Sequence, residues 1–174
     1  MLSSSFGTTA VFQLHLFYKQ QTIQPVHFID TTFHLSETLA YKDILKKLFD
    51  LEVIDNRPDT EWIQLSHESE LWRIDPDRCC RINKVQPFEK VKENYDRWIS
   101  GRMRWQSSHR EKLNIFEQRK GIIKFYPILD VMERGALEYI ENINFLHILQ
   151  NLLFKNPPDV PIALSKAKNE RTDG

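Results

Sequence analysis

The chain is poor in cysteine: it has two, Cys79 and Cys80, next to each other. Adjacent residues rarely reach the Cα spacing and dihedral that a disulfide requires, so no disulfide framework is expected and a reducing, cytoplasmic setting follows. Charge of either sign is not in excess, with 24 Lys and Arg against 24 Asp and Glu. A neutral total argues against a nucleic-acid coat or a basic tail. Long apolar runs are missing as well: nothing approaches the roughly 18 consecutive apolar residues of a membrane helix. The first residues show no basic segment followed by an apolar run and a cleavage site, so neither membrane insertion nor secretion is expected. The six histidines, at 15, 27, 34, 67, 109 and 147, lack the spacing of a metal motif. What remains is 174 residues, enough for one domain with a core that needs no disulfide or metal.

The apolar pattern changes period along the chain, as alternating strands and helices produce. Val11, Phe12, Leu14, Leu16 and Phe17 predict a mostly buried helix from Thr8 to Lys19, and Pro25 to Asp30 a short strand ending in a carboxylate. Ser36 is expected to cap a helix with the stripe Leu39, Ile44, Leu45, Leu48 and Phe49, its Lys42, Lys46 and Lys47 toward water. A strand over Leu51 to Ile54 follows. From Asn56 to Arg73 the chain is polar and reads as loop, with one short helix around Glu61 to Leu65. Asp77 suits the cap of a turn holding both cysteines, and Pro87 the first residue of another helix. Tyr95 to Ser100 is a strand closed by Gly101, Gly121 to Leu129 contains another, and Glu133 to Ile140 forms a last helix despite Gly135. The expected fold is α/β, a mostly parallel, doubly wound sheet with helices on both faces. Ligands of such sheets bind outside the carboxyl ends of the strands, which selects residues 3 to 9, 30 to 36 and 101 to 112.

The first of these loops, Ser3-Ser4-Ser5-Phe6-Gly7-Thr8-Thr9, opens a helix, so hydroxyls, backbone N–H groups and the positive helix end face an anion. It also reads as a polar turn with a helix cap, and it is not a Walker loop, since the glycine spacing and the lysine are missing. Arg102, Arg104, Arg110, Lys112, Arg119, Lys120 and Lys124 face only Glu111 and Glu117 in the same stretch, a local excess of five positive charges. With Gln106, Ser107 and His109 this stretch is dense in donors, and guanidinium groups match phosphate or sulfate geometry. A solvated charged loop is the alternative. Cys79 and Cys80 lie between Asp75-Pro76-Asp77-Arg78 and Arg81-Ile82-Asn83-Lys84, a polar setting that makes burial as small hydrophobes unnatural and flanking cations favourable to thiolates. His15 and His27 read as core or face residues, and only His109 as a ligand-site candidate.

Taken together, the motifs resemble those of the assimilatory phosphoadenylyl-sulfate and adenylyl-sulfate reductases, members of the PP-loop adenine-nucleotide-binding superfamily. The matching stretches run in family order: Leu2 to Gly7, Asp30-Thr31 with Glu37-Thr38, Asp77-Arg78-Cys79-Cys80 with Asn83-Lys84-Val85 and Pro87. Trp98 to Arg102 with Gln106-Ser107 and Arg110, and Lys124 to Asp130, complete them. The resemblance implies an adenine-nucleotide alpha-hydrolase-like fold and reduction of adenylyl sulfate, or phosphoadenylyl sulfate, to sulfite in sulfate assimilation, with thioredoxin as electron donor and no flavin or nicotinamide. It implies that Ser3, Ser4, Ser5 and Gly7 hold phosphate or sulfate and that Asp30 and Thr31 lie beside the nucleotide. Arg102, Gln106, Ser107 and Arg110 would neutralise the anionic end, and Lys84 would place a charge between cluster and substrate. Cys79 and Cys80 would be two of four ligands to a [4Fe–4S] cluster, and the adjacent pair favours adenylyl sulfate.

The departures are specific. The later Cys-x-x-Cys and the Glu-Cys-Gly segment with the family nucleophile are absent, Val131 stands where Trp is usual, and Arg104-Trp105 and His109 are variants. The chain starts inside the first strand. The expectation is an incomplete nucleotide-binding domain over residues 1–142 and a divergent, disordered tail over 143–174, without the nucleophile and with some tendency to self-associate. The alternative is a catalytically inactive nucleotide-binding pseudoenzyme or interaction module.

Overall fold

The computed structural model describes residues 1–21, 24–119 and 121–143. Its sheet contains β1 (Leu2–Ser3), β2 (Val26–Ile29), β3 (Val53–Asn56), β4 (Arg97–Ser100), β5 (Phe116–Arg119) and β6 (Ile122–Phe125), in the order β3-β2-β1-β4-β6-β5. All neighbours pair in parallel except β5, which forms an antiparallel hairpin with β6. The chain therefore winds outward from β1 to β3 on one side and from β4 to the hairpin on the other. The order reverses between β1 and β4, where a doubly wound sheet opens its ligand crevice.

The helices are α1 (Ala10–Lys19), α2 (Ser36–Leu48), α3 (Thr60–Glu68), α4 (Leu71–Ile74), α5 (Pro76–Cys80), α6 (Gln86–Lys92), α7 (Ser108–Glu111) and α8 (Glu133–Asn142). Leu2, Val26 and Phe28 turn one side of the sheet toward Val11 and Leu14 of α1 and Leu45 of α2. Phe12, Met103, Ile128 and Ala136 continue that layer under α8. On the opposite face Met1, Trp98 and Ile122 pack against Phe88 and Val91 of α6. Alternation along each strand supplies both layers, because successive side chains point to opposite faces. Among the described residues no helix is long and apolar enough to cross a membrane.

Several expectations need correction. Lys42 does not face water: it is 6 % exposed, its Nζ lies 2.7 Å from both Asp55 carboxylate oxygens and 4.7 Å from the Phe28 ring centroid. Ser36 is the first residue of α2, not its cap; extended Leu35 precedes it and the Ser36 hydroxyl donates to Glu37. Asp75, rather than Asp77, caps α5 by accepting from the Arg78 amide. The helix expected around Glu61 to Leu65 is present as the longer α3, but the stretch taken otherwise as loop also holds α4, and β3 lies two residues beyond its expected place. The antiparallel strand β5 had no counterpart in the reading. Pro87 does not start a helix either. Residues 76–92 run as one helical stretch with a π-helical turn at Arg81–Val85, where the Gln86 amide donates to the Arg81 carbonyl. The wider turn accommodates a ring that would otherwise strike the carbonyl four residues back.

Candidate functional site

The loop after β1 is held open by local bonds. Ser4 Oγ accepts from the Phe6 amide at 3.1 Å, and the Ser4 amide donates to the His27 carbonyl at 3.1 Å. Phe6 has φ 51°, the left-handed region that L-residues avoid at a cost of about 1–2 kcal/mol. Its ring is buried edge-on against Phe28, 5.7 Å between centroids, and burial worth about 1.5–3 kcal/mol outweighs that strain. Phe6 thus anchors the loop while Ser5, Gly7 and Thr8 stay exposed ahead of α1. Ser3 is committed, its Oγ accepting from Trp98 Nε1 at 2.7 Å.

After β2 the backbone turns on Asp30. Its carboxylate accepts from the Thr32 amide at 3.0 Å and from Arg57 Nε at 2.8 Å, and it is 3 % exposed. Burial alone would raise its pKa; the Thr32 amide and the Arg57 guanidinium outweigh that and hold it below the usual carboxylate value. Thr32 sits at φ 65°, a strained position for a β-branched residue, and its Oγ1 lies 2.9 Å from His67 Nε2. Thr31 Oγ1 accepts from the Phe33 amide at 3.4 Å.

The loop after β4 meets the first loop. Gln106 Nε2 donates to Thr9 Oγ1 at 3.3 Å, and Gln106 Oε1 accepts from the Met103 amide at 3.3 Å and from Arg110 Nη1. Ser107 caps α7, its Oγ accepting from the Arg110 amide. Burial and then the charge of Arg102 hold the Arg110 pKa below its ordinary value, so the two guanidinium groups share one neighbourhood. Arg104 is a clamp: Nε donates to Asp130 at 2.5 Å and Nη1 to the Glu111 and Leu113 carbonyls. Gly101 is required where β4 meets this loop, since a Cβ there would overlap the buried Gln13 amide and stand 3.5 Å from Ile128 Cδ1.

A second group of cations lies on the α6 side of the sheet. Arg102 Cζ and Lys124 Nζ are each 5.3 Å from the Trp98 ring centroid and Lys92 Nζ is 5.9 Å from it. An indole face returns about 0.5–2 kcal/mol per cation, while like charges brought near one ring repel one another.

The predicted metal pair separates. Cys79 is buried against Leu71 and Ile82 with Phe33 beside them, while Cys80 on the next position is exposed. Asn83 Nδ2 donates to Ser66 Oγ at 2.8 Å and to the Cys79 carbonyl at 3.1 Å and lies 3.5 Å from Cys79 Sγ, while Asn83 Oδ1 is buried without a partner among the described residues. Burial of Cys79 in a polar stretch reverses the expectation drawn from its neighbours; Leu71 and Ile82, a helix turn or more away, make its pocket. A [4Fe–4S] cluster needs four ligands, and the chain contains two thiols. Among the described residues no group of three His, Cys, Asp or Glu side chains is placed to hold a metal. The residues present do not fit the cluster. Lys84 is exposed on the π-helical turn and His109 is exposed on α7, neither with a hydrogen bond or ion pair among the described residues.

The structure thus joins Thr9, Gln106 and Arg110 directly, with Arg102 near Arg110 and Ser3 beside Trp98. It leaves Lys84, Cys80 and His109 outside those contacts. Sequence reasoning missed Arg57 as a site residue, and it placed Thr9 in the anion loop and Trp98 in a family stretch without giving either a role. Arg57 had a signal, since it follows β3 directly, but placing that strand two residues early hid the loop that carries it. Lys120 lies outside the described residues, as do residues 144–174 of the tail expected over 143–174; Ile143, its first residue, closes α8 and packs against the core.

Curated proteins resemble this chain over most of its length. The chain is 30% identical over 145 residues to the phosphoadenosine 5'-phosphosulfate reductase of Gloeobacter violaceus, covering 80% of this chain and 60% of that protein. It is 35% identical over 137 residues to the enzyme of that name from Thiocapsa roseopersicina, covering 75% and 57%. It is 33% identical over 145 residues to the adenosine 5'-phosphosulfate reductase of Oceanobacillus iheyensis, covering 80% and 60%. The chain therefore spans under two thirds of the length of these relatives. Among solved structures, the phosphate complex of phosphoadenylyl-sulfate reductase from Candida auris shares the fold, with TM-score 0.67, 22% identity and coverage of 82% of this chain and 72% of that one. The model of the phosphoadenosine phosphosulfate reductase domain matches residues 1–152, and the chain belongs to that family.

Proposed function

We propose that the crevice between β1 and β4 binds an adenine sulfonucleotide and serves the reduction of adenylyl sulfate or phosphoadenylyl sulfate to sulfite, in the cytoplasm, with thioredoxin as electron donor. One observation carries this reading: the serine-rich loop and the loop after β4 are tied together by Gln106 on Thr9, so a hydroxyl, an amide and the Arg110 guanidinium meet at the switch point. Those groups suit a phosphosulfate, and their donors matter most for the charge that develops on the leaving phosphate. In this reading Ser3, Ser4, Ser5 and Gly7 hold the anion, Asp30 and Thr31 flank the nucleotide, and Arg102, Gln106, Ser107 and Arg110 neutralise its charged end. Lys84 adds a cation from the π-helical turn.

The reaction needs a thiolate. It attacks sulfur, the sulfur–oxygen bond to the phosphate breaks, and the nucleotide leaves with the bonding pair. The resulting thiosulfonate loses sulfite when a dithiol donor is oxidised to a disulfide by two electrons. Cys79 is buried in an apolar cluster and Cys80 is exposed on the next position of α5, so neither is assigned the attack. No step is assigned to a cluster.

The test is calorimetric binding of AMP to the 174-residue chain together with a sulfite assay using thioredoxin and either sulfonucleotide. AMP is expected to bind, Arg110→Gln to weaken it at least tenfold, and sulfite to stay at background. Failure of AMP to bind overturns the nucleotide reading; sulfite above background overturns the assignment of this chain to binding alone, and binding without turnover is also what a pseudoenzyme gives.

A further inference from the structure

A cavity of about 300 Å³ opens between α6 and the β5–β6 hairpin, lined by Glu89, Lys92, Arg119, Ile122 and Lys124. Strand register builds it. Lys124 pairs with Trp98 across β4 and β6, and with Glu117 across the hairpin, while Arg119 pairs with Ile122. Alternation then puts Glu117, Arg119, Ile122 and Lys124 on the face that α6 covers, and α6 brings Lys92 over it. Two carboxylates are present and both are engaged: Glu89 with Lys92 at 2.6 Å, and Glu117 as acceptor for the buried Tyr126 hydroxyl at 3.3 Å. Arg102, Arg119 and Lys124 are left without an ion-pair partner among the described residues. Burial and the charges of Arg102, Lys92 and Arg119 lower the Lys124 pKa, against the pull of Glu117. Half-buried like charges gathered around one indole are relieved by a bound oxyanion more fully than by water.

We propose that this cavity is a second anion site of the chain and that it takes a phosphoryl dianion on Lys92, Arg119 and Lys124, with Arg102 at its inner end. The phosphoryl group is either free phosphate or one borne by a nucleotide in the crevice. The site does not depend on the nucleotide reading, since inorganic phosphate alone probes it.

Titration of the chain with inorganic phosphate at fixed ionic strength, followed by calorimetry and phosphorus NMR, is expected to show saturable binding. Arg119→Gln with Lys124→Gln should weaken it at least tenfold, and Arg110→Gln should change it less than twofold. Phosphate binding that persists under saturating AMP identifies free phosphate as the occupant. Adenosine 3′,5′-bisphosphate binding at least tenfold tighter than AMP, with the difference erased by the double variant, identifies a nucleotide-borne group. Absence of saturable binding by either probe, indifference to the double variant, or loss on Arg110→Gln alone overturns the proposal. If the double variant does not fold by circular dichroism, Arg119→Gln, at an exposed edge position, must by itself weaken phosphate at least threefold, and no change there overturns the proposal equally. AMP failing to bind while the Lys124-dependent phosphate site persists refutes the functional reading and leaves this site standing.

Discussion

The buried His27 ring sits between the Tyr95 hydroxyl, 2.9 Å from Nε2, and the Asn56 amide nitrogen, 3.2 Å from Nδ1. The same amide nitrogen also lies within hydrogen-bond distance of the Phe28 and Ile54 carbonyls, so its two hydrogens are shared among three acceptors. Burial holds the His27 pKa below its ordinary value against the opposing Asn56 hydrogen bond, and the N-terminal amine adds to burial. The unfolded chain therefore takes up the proton first as pH falls. Stability is complete above about pH 6.5 and declines below it until the folded pKa is reached. Denaturant midpoints measured from pH 7.5 to 5.5 should fall, and fall less in His27→Gln; an equal fall would show that His15, also held low by burial, or other groups carry the trend. Asp30 acts in a lower window, its contribution present above about pH 3.8 and lost as its folded pKa is passed. The sequence placed His27 in the core correctly because strand alternation sets the face of each residue. It misplaced Lys42, since a helical stripe does not reveal that Asp55 on β3 stands opposite to receive the charge.

The loops at the carboxyl ends of β1, β2 and β4 were legible as elements because one topological rule selects them once strands and helices alternate. The junction under the third loop was not, since it depends on Gln13, a polar residue inside an otherwise apolar helix, lying against the backbone of Gly101. Gly101→Ala is expected to cost about 1–3 kcal/mol by overpacking and to weaken AMP binding. Gln13 Nε2 has no hydrogen-bond partner among the described residues, so Gln13→Ala removes the obstruction at little polar cost, and the double variant should recover at least half of the loss. Strictly additive effects in that double-mutant cycle would refute a direct contact. The helical stretch 76–92 was misread for a different reason. Pro87 ordinarily marks a helix start, and only the π-helical turn before it lets the helix pass through.

At the scale of the molecule, alternation of apolar segments was enough to give the α/β class and the parallel core, whereas β5 escaped because Phe116-Glu117-Gln118-Arg119 has one apolar residue in four. Among the described residues that strand has no neighbour on its outer side. Phe116 is 63 % exposed and stacks on Phe125 with 4.6 Å between centroids. An unpaired, partly apolar edge invites a second copy. Sedimentation velocity across a wide range of concentration should show reversible association that Phe116→Lys suppresses; unchanged association in that variant would place the contact elsewhere. The centre of the sheet carries a different consequence. β1 contributes two residues, and through them the block β3-β2 is joined to the block β4-β6-β5. Its rungs to β4 link residues more than half the chain apart, whereas pairing within each block is local by comparison. In folding terms the seam closes after the blocks it joins and is the first place to open, because its loop-closure cost is largest and its ladder shortest. A ligand spanning Thr9 and Arg110 would bind only the closed seam, and would stabilise the union of the two blocks rather than either block alone.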